Sequence, residues 1–418
     1  MMEFSEKVKE WQVGWLRRNV LRVLMTFGYV LTRVKFIHNR LPRDAQASLP
    51  VAWNDHMWWV ALKSGGDKIF GDYYSKLKIP ASFAPKTEVA PEYQLTEAEI
   101  QSFYENGFIG PFDLISTEEA HDLQMYLEGV VEKAETSVYP PGTYELPDRL
   151  KDATQTDRSA LDIARLAMAT RDRHLDDPRI LDLFRRPALT ERVAQLLGSD
   201  LMIWRSQFFG KRPGEIGTAW HQATTYVYES LKEHLIQPPD IDELFDLSCF
   251  VSVTDAMIEN GCLCFLPGTQ KEILPINVQI FNPQKDRGNS NGNSQVKRFG
   301  SRKIEIDYPI REEDIVPVEL KAGQLLIFTE RVLHGSLDNI SQDKYRLSVT
   351  GRVARPDTRI YTDRMLRDGH ELKLISVKKI MLDNWRAVML RGEDEYGYNR
   401  SVPVHELPPL MQKQEVAV

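Results

Sequence analysis

The sequence predicts an α+β protein with helices in its first half and an antiparallel sandwich or barrel in its second. Three observations predict it. Apolar residues recur at helical spacing as far as Leu197. From Leu201 onward, short runs of β-branched and aromatic residues take over. Turn residues such as Asn260-Gly261, Pro267-Gly268 and Ala322-Gly323 punctuate those runs.

Within residues 1–40, Trp11, Trp15, Val20, Val23, Leu24, Phe27, Val30 and Leu31 alternate with basic residues. That spacing predicts an amphipathic helix, which either docks on a membrane surface or a partner or covers part of the core. An aromatic segment follows (Trp53, Trp58, Trp59, Tyr73, Tyr74), with Asp55-His56 in a structural setting. Ile79 to Pro91 carries three prolines and reads as a linker. Residues 1–90 are therefore expected to form a helical extension ending in a proline-rich linker, and residues 91–418 the main domain. Thr96 and Glu99 form a capping-box pattern, Ser116-Thr117-Glu118-Glu119 a second helix start, and Asp176–Pro178 a break. Strand-like runs cover Leu201–Phe209, Thr224–Tyr228, Leu247–Val253, Cys262–Leu266, Ile315–Leu320, Gln324–Phe328 and Leu347–Val353. The Asn- and Gly-rich stretch 282–293 reads as a loop, either an active-site lid or plain surface.

Composition narrows the class. With 42% hydrophobic residues in 418, the chain has material for a packed core, which excludes global disorder. A net charge of −7 argues against a general nucleic-acid binder. Cys249, Cys262 and Cys264 lack CxxC spacing, so buried free thiols in a reducing cytoplasm are expected rather than a zinc site or disulfide framework. No stretch reaches the roughly 18–20 apolar residues of a membrane span, and the first residues lack a clean secretory pattern. The expected location is cytoplasmic; oligomeric state is not readable.

Three features carry chemistry: His221-Gln222-Ala223 after Trp220, His334 ahead of Gly335, and Arg346 twelve residues beyond His334. In non-haem iron oxygenases, two imidazoles and one carboxylate hold one face of Fe(II) and leave three positions open. An arginine pairs bidentately with the far carboxylate of 2-oxoglutarate. Both histidines and the arginine stand here in that order, but the carboxylate of a His-x-Asp step is replaced by Ala223. Alanine cannot ligate iron, and the vacancy suits a chloride that restores the missing negative charge. Two other readings stand beside this one. The carboxylate comes from elsewhere, with Asp255 and Glu229 as candidates, or the barrel only binds a substrate or carrier.

Around these residues lie Asn106-Gly107-Phe108-Ile109-Gly110-Pro111-Phe112, Arg173-His174-Leu175-Asp176-Asp177, Trp204-Arg205, Gly217-Thr218, Pro267-Gly268-Thr269-Gln270 and Tyr398-Asn399-Arg400. Together with the metal motif, roughly residues 93–418 resemble the syringomycin-type halogenases of the phytanoyl-CoA dioxygenase superfamily. The resemblance implies a double-stranded β-helix (jelly-roll, cupin-like) core with flanking helices. It also implies Fe(II), 2-oxoglutarate, O2 and chloride as cofactors, and oxidative chlorination of an unactivated aliphatic carbon in natural-product biosynthesis. Such a reaction is coupled to decarboxylation of 2-oxoglutarate to succinate and CO2. By position, His221 and His334 match the iron ligands, Ala223 the residue beside the halide, and Arg346 the cosubstrate anchor. Arg352 matches a second arginine near halide and cosubstrate, or else forms a surface ion pair; Thr218 matches a residue of the cosubstrate pocket, or else a strand-edge hydroxyl. Gln207 stands where many members acting on carrier-bound amino acids have an acid, and Tyr228 where they have a smaller polar residue. The expected substrate is thus either a carrier-tethered acyl or aminoacyl group or a free small molecule contacting Gln207 and Tyr228.

Overall fold

A computed structural model describes residues 2–42, 46, 49–146, 158–223, 233–280, 297–299, 302–372 and 377–403. The expected run at Thr224–Tyr228 and the stretch 282–293 lie outside the described residues, as do Tyr228 and Glu229.

Helices and strands mix as the periodicity predicts. The first helix spans Met2–Arg33, and a helix at Asp55–Ser64 packs on it. Thr96 and Ser116 both close full capping boxes, with Glu99 and Glu119, at the starts of helices Glu97–Asn106 and Thr117–Lys133. Pro178 opens the helix Pro178–Arg185 behind the cap Asp177, which is the break seen at Asp176–Pro178. Helix Pro187–Leu197 ends the helical half.

Among the described residues there are eighteen strands, here in chain order. β1 (Lys68–Phe70), β2 (Phe108–Asp113) and β3 (Tyr144–Glu145) precede the strand-rich half. That half opens with β4 (Leu201–Lys211), β5 (Ile236–Gln237), β6 (Asp246–Ser252), β7 (Leu263–Leu266) and β8 (Pro275–Ile280). It continues with β9 (Lys297–Phe299), β10 (Arg302–Ile306), β11 (Val316–Val318), β12 (Gln324–Phe328) and β13 (Leu333–Ser336). β14 (Arg346–Ala354), β15 (Arg359–Ile360), β16 (His370–Glu371), β17 (Lys379–Ile380) and β18 (Val388–Arg391) complete the set. The largest sheet has the order β18-β4-β14-β6-β12-β2, and a smaller one β11-β7-β13; every pairing within them is antiparallel. A third sheet, β1-β8-β10-β9, takes in β1 from the first ninety residues.

β4, β6, β12 and β14 coincide within a residue or two with runs visible in the sequence, because each is β-branched or aromatic and buried. β2 gave no such signal. It holds Pro111, which lacks a ladder donor and is tolerated here because β2 is an edge strand. The two sheets share an apolar cluster: Phe250 (β6), Leu326 and Phe328 (β12) meet Leu263 and Phe265 (β7) and Val318 (β11). All three cysteines are free and buried, and burial pushes their thiols up, Cys262 to about 11 and Cys264 to about 12. No helix among the described residues is long and apolar enough to cross a membrane.

Candidate active site

The four residues of β13 bring the site together. Opposite them, the segment from Gly217 to His221 runs antiparallel as an isolated bridge rather than a regular strand. The His221 N–H donates to the His334 carbonyl (3.0 Å), and the His334 N–H returns the bond (3.1 Å). Two lower rungs join the Ser336 N–H to the Thr218 carbonyl (3.1 Å) and the Thr218 N–H to the Ser336 Oγ (2.9 Å). Residues directly opposed in an antiparallel pair put their side chains on one face. The two imidazoles accordingly sit with ring centroids 4.3 Å apart. Glycines allow this closeness. A Cβ on Gly217 would lie 1.9 Å from the Ser336 carbonyl oxygen, and one on Gly335 2.7 Å from that of Thr218.

Each imidazole is turned by its own backbone. His221 Nδ1 donates to the Ala219 carbonyl (2.7 Å) and His334 Nδ1 to that of Val332 (2.8 Å). This fixes both tautomers and leaves Nε2 of each ring as the nitrogen that could take a metal. The middle residue of His-Gln-Ala has structural work. Gln222 Nε2 reaches the carbonyls of Arg331 (2.6 Å), Thr269 and Glu272, and its Oε1 accepts from the Leu274 N–H (2.8 Å). Ala223 is buried, its N–H donating to the Glu330 carbonyl (3.1 Å). Asp255, a sequence candidate for the missing carboxylate, is not brought here; it accepts from the Ala322 N–H, away from the histidines.

Glu330 is the residue that sequence reasoning missed. Four positions before His334, it is buried, with Oε2 3.9 Å from His334 Nε2 and 3.2 Å from an Arg352 Nη. Its other oxygen accepts from Ser248 Oγ, and no hydrogen-bond donor lines up on Oε2. The available signal was the i, i+4 spacing of an acid and the distal histidine. Arg352 is therefore no surface pair: it is mostly covered and pairs with the buried Glu330. Among the described residues no group of three or more His, Cys, Asp or Glu is placed to hold one ion.

A cavity of about 390 Å³ opens over this pair, within the ~300–1,000 Å³ range of small-molecule sites. Six of the eight sequence candidates line it: Gln207, Thr218, His221, His334, Arg346 and Arg352. Ala223 is not on its described wall, and Tyr228 lies outside the described residues. Arg346 is paired in register with Lys211 and donates to the Gly261 carbonyl (2.6 Å), while its Nε has no hydrogen-bond partner. Burial lowers Arg346 to about 10, still cationic at neutral pH. Burial, then Arg346, lowers Lys211 to about 8. Lys211 stands behind the wall, its Nζ donating to Ser336 Oγ (2.8 Å) and the Leu337 carbonyl, whereas Arg346 lines the cavity and makes no salt bridge among the described residues, which suits a dianionic cosubstrate at this end. Arg171 and Arg205 add two more guanidiniums to the wall, where Glu330 is the one acid among the described residues. Behind Glu330, burial lifts Asp246 to about 7, against the opposing pull of Arg352. Arg331, between Glu330 and His334, runs back from the site; its buried guanidinium bonds Ser75 Oγ (2.8 Å), the Ser75 carbonyl (3.0 Å) and the Gln270 carbonyl (3.1 Å).

Comparison with known proteins shows the family. The model of the phytanoyl-CoA dioxygenase (PhyH) family matches residues 103–348. That range holds both histidines and Arg346; Arg352 lies just past it. A dioxygenase lolE1 from Epichloe uncinata is 25% identical over 196 residues, 46% of this chain and 62% of its own length. A phytanoyl-CoA dioxygenase from Arabidopsis thaliana is 25% identical over 146 residues, 34% of this chain and 40% of its own. The chain thus spans less than two thirds of the length of either curated relative. Among solved structures, CytC3 with Fe(II) and alpha-ketoglutarate superposes with a TM-score of 0.52 at 24% identity, covering 74% of this chain and 94% of that one. At that identity the likeness shows the fold.

Proposed function

The chain belongs to the phytanoyl-CoA dioxygenase family, whose members are Fe(II)/2-oxoglutarate-dependent oxygenases, and on that premise we propose that it chlorinates an unactivated aliphatic carbon. The observation that carries the reading is Ala223. It is buried two residues from His221, where a His-x-Asp step would put the carboxylate ligand, and offers no donor atom. His221 and His334 would hold Fe(II) through Nε2, and Arg346 would hold the far carboxylate of 2-oxoglutarate. When bound, iron, cosubstrate, O2 and chloride supply oxidative removal of a substrate hydrogen and delivery of a halogen. The protein's own task is placement. The backbone bridge fixes the imidazoles, Arg346 orients the cosubstrate, Arg352 lends positive charge beside the vacancy, and Thr218 and Gln207 shape the wall. The paired antiparallel sheets support reading the core as a double-stranded β-helix, with residues 91–418 as the catalytic unit and 1–90 as an added helical region.

The substrate is a carrier-tethered acyl or aminoacyl group or a free small molecule. Arg171 and Arg205, with the neutral Gln207 on β4, favour one bearing an acidic group over one bearing an amine. The test incubates enzyme, Fe(II), 2-oxoglutarate, O2 and chloride with free and carrier-loaded candidates. Mass spectrometry should find a chlorinated product. Turnover indifferent to chloride would overturn the proposal.

Glu330 favours one second reading, in which a carboxylate from outside the tripeptide completes the iron site and the product is hydroxylated. Glu330 Oε2 lies 3.9 Å from His334 Nε2 and 3.2 Å from Arg352, so it would have to move closer to His334 to share an ion with it. Glu330→Gln separates the two. Under chlorination the variant keeps Fe(II) and the visible band of its 2-oxoglutarate complex; under the second reading both are lost.

A further inference from the structure

The first helix carries two apolar faces, and the protein uses only one of them. Leu21, Met25 and Gly28 point at the body: a Cβ on Gly66 would meet Met25 and Leu21, and one on Gly28 would meet the Trp58 ring at 3.2 Å. Tyr29 packs edge-on against Trp58. On the opposite side stand Leu16, Val20, Val23, Leu24, Phe27 and Val30, all exposed, with Val23 at 69% and Phe27 at 63%. Val34, Phe36 and Ile37 continue the exposed surface into the short helix Lys35–His38. At 100° per residue the six positions on the first helix fill an arc of roughly 120°, wider than a two-residue coiled-coil seam and typical of a helix lying on a surface.

Charge says which surface. The protein as a whole is net −7, yet residues 11–43 contain seven arginines and lysines and no acid. Asp67 on a neighbouring segment answers Arg18 (2.7 Å), and Asp55 answers Arg33 (2.9 Å). Lys35 is exposed at the start of the short helix, and Arg40 stacks over Phe36. A second copy of this helix would set cation against cation, whereas an anionic bilayer surface complements both the charge and the apolar arc. No described helix is apolar enough to span. We infer that the Trp15–Ile37 region docks the enzyme, lying flat, on an anionic membrane surface, with Leu16, Val20, Val23, Phe27 and Val30 immersed at the headgroup boundary.

The test is co-sedimentation of the full chain with vesicles of phosphatidylcholine alone and of phosphatidylcholine mixed with phosphatidylglycerol. The protein should pellet with the mixed vesicles, pellet far less with the neutral ones, and be released by salt. The double substitution Val23→Asp, Phe27→Asp, at exposed positions far from the cavity, should cut partitioning roughly a hundredfold, since each side chain's burial is worth about tenfold or more. Its circular dichroism and 2-oxoglutarate consumption should match those of the parent. Equal pelleting of the variant would overturn the inference. So would failure of the parent to pellet with anionic vesicles, including the case where sedimentation equilibrium shows a dimer that the double substitution dissolves.

Discussion

At the scale of single residues, one methyl group carries the chemical argument. On the proposed reading, Ala223→Asp returns a carboxylate two residues from His221, where it would compete with a halide. The expected outcome is loss of chlorinated product, read by mass spectrometry, with iron binding retained. Arg346 offers a second test. On the proposed reading, Arg346→Leu would remove a buried charge-assisted pair worth about 2–3 kcal/mol, so the KM for 2-oxoglutarate should rise by roughly 30–150-fold. What was legible at this scale was whatever spacing encodes. His221, His334, Arg346 and Arg352 stand at fixed intervals, and all four line one cavity. Glu330 was not legible, because a single acid four residues before a histidine occurs in many helices and loops. Only the fold shows that this one is buried against Arg352.

At the scale of elements, the site depends on a stretch too short and too irregular to be a convincing strand in sequence. β13 has four residues, and its partner 217–221 makes a bridge rather than a ladder. No periodicity of two can show in so few positions, so the strand holding the distal histidine went unread while the longer β4, β12 and β14 did not. The glycines were the readable trace. Gly335→Ala would drive a Cβ to 2.7 Å from the Thr218 carbonyl and part the two segments. Fe(II) affinity, measured by competition with a chelator dye, should drop at least about tenfold, as it does when ligand-supporting groups are lost. Helix caps were read directly, since the Thr96–Glu99 and Ser116–Glu119 pairs announce themselves at the right spacing. Thr96→Ala should cost about 1 kcal/mol in denaturant unfolding, without altering iron affinity.

At the scale of the whole molecule, a motif that was only part of a resemblance becomes a stability term. His174 is fully buried against Ser206 Oγ (3.0 Å), and burial holds its imidazole at about 4. In an unfolded chain the same group titrates near 6.5. Between those values the unfolded state binds a proton that the native state refuses, so this contribution is present above about pH 6.5 and lost as pH falls toward 4. Asp246, held near 7, tilts the other way over the same range. The comparison is therefore between parent and His174→Gln. The variant should show a shallower fall in Tm on acidification, and identical slopes would refute the assignment. The division at residue 90 followed a proline-rich stretch in the sequence, yet contacts cross it: β1 pairs with β8, and Arg331 reaches Ser75. Nothing in local composition encodes such a bond, because its ends lie 256 positions apart. If the residues around Ser75 peel away, a buried guanidinium loses two acceptors at once, and the backbone between Glu330 and His334 loses its fastening. The two places should therefore share one opening free energy. Amides near Ser75 and those of β13 would exchange with solvent deuterons in a single cooperative step, and the iron pocket would loosen only when that distant stretch does.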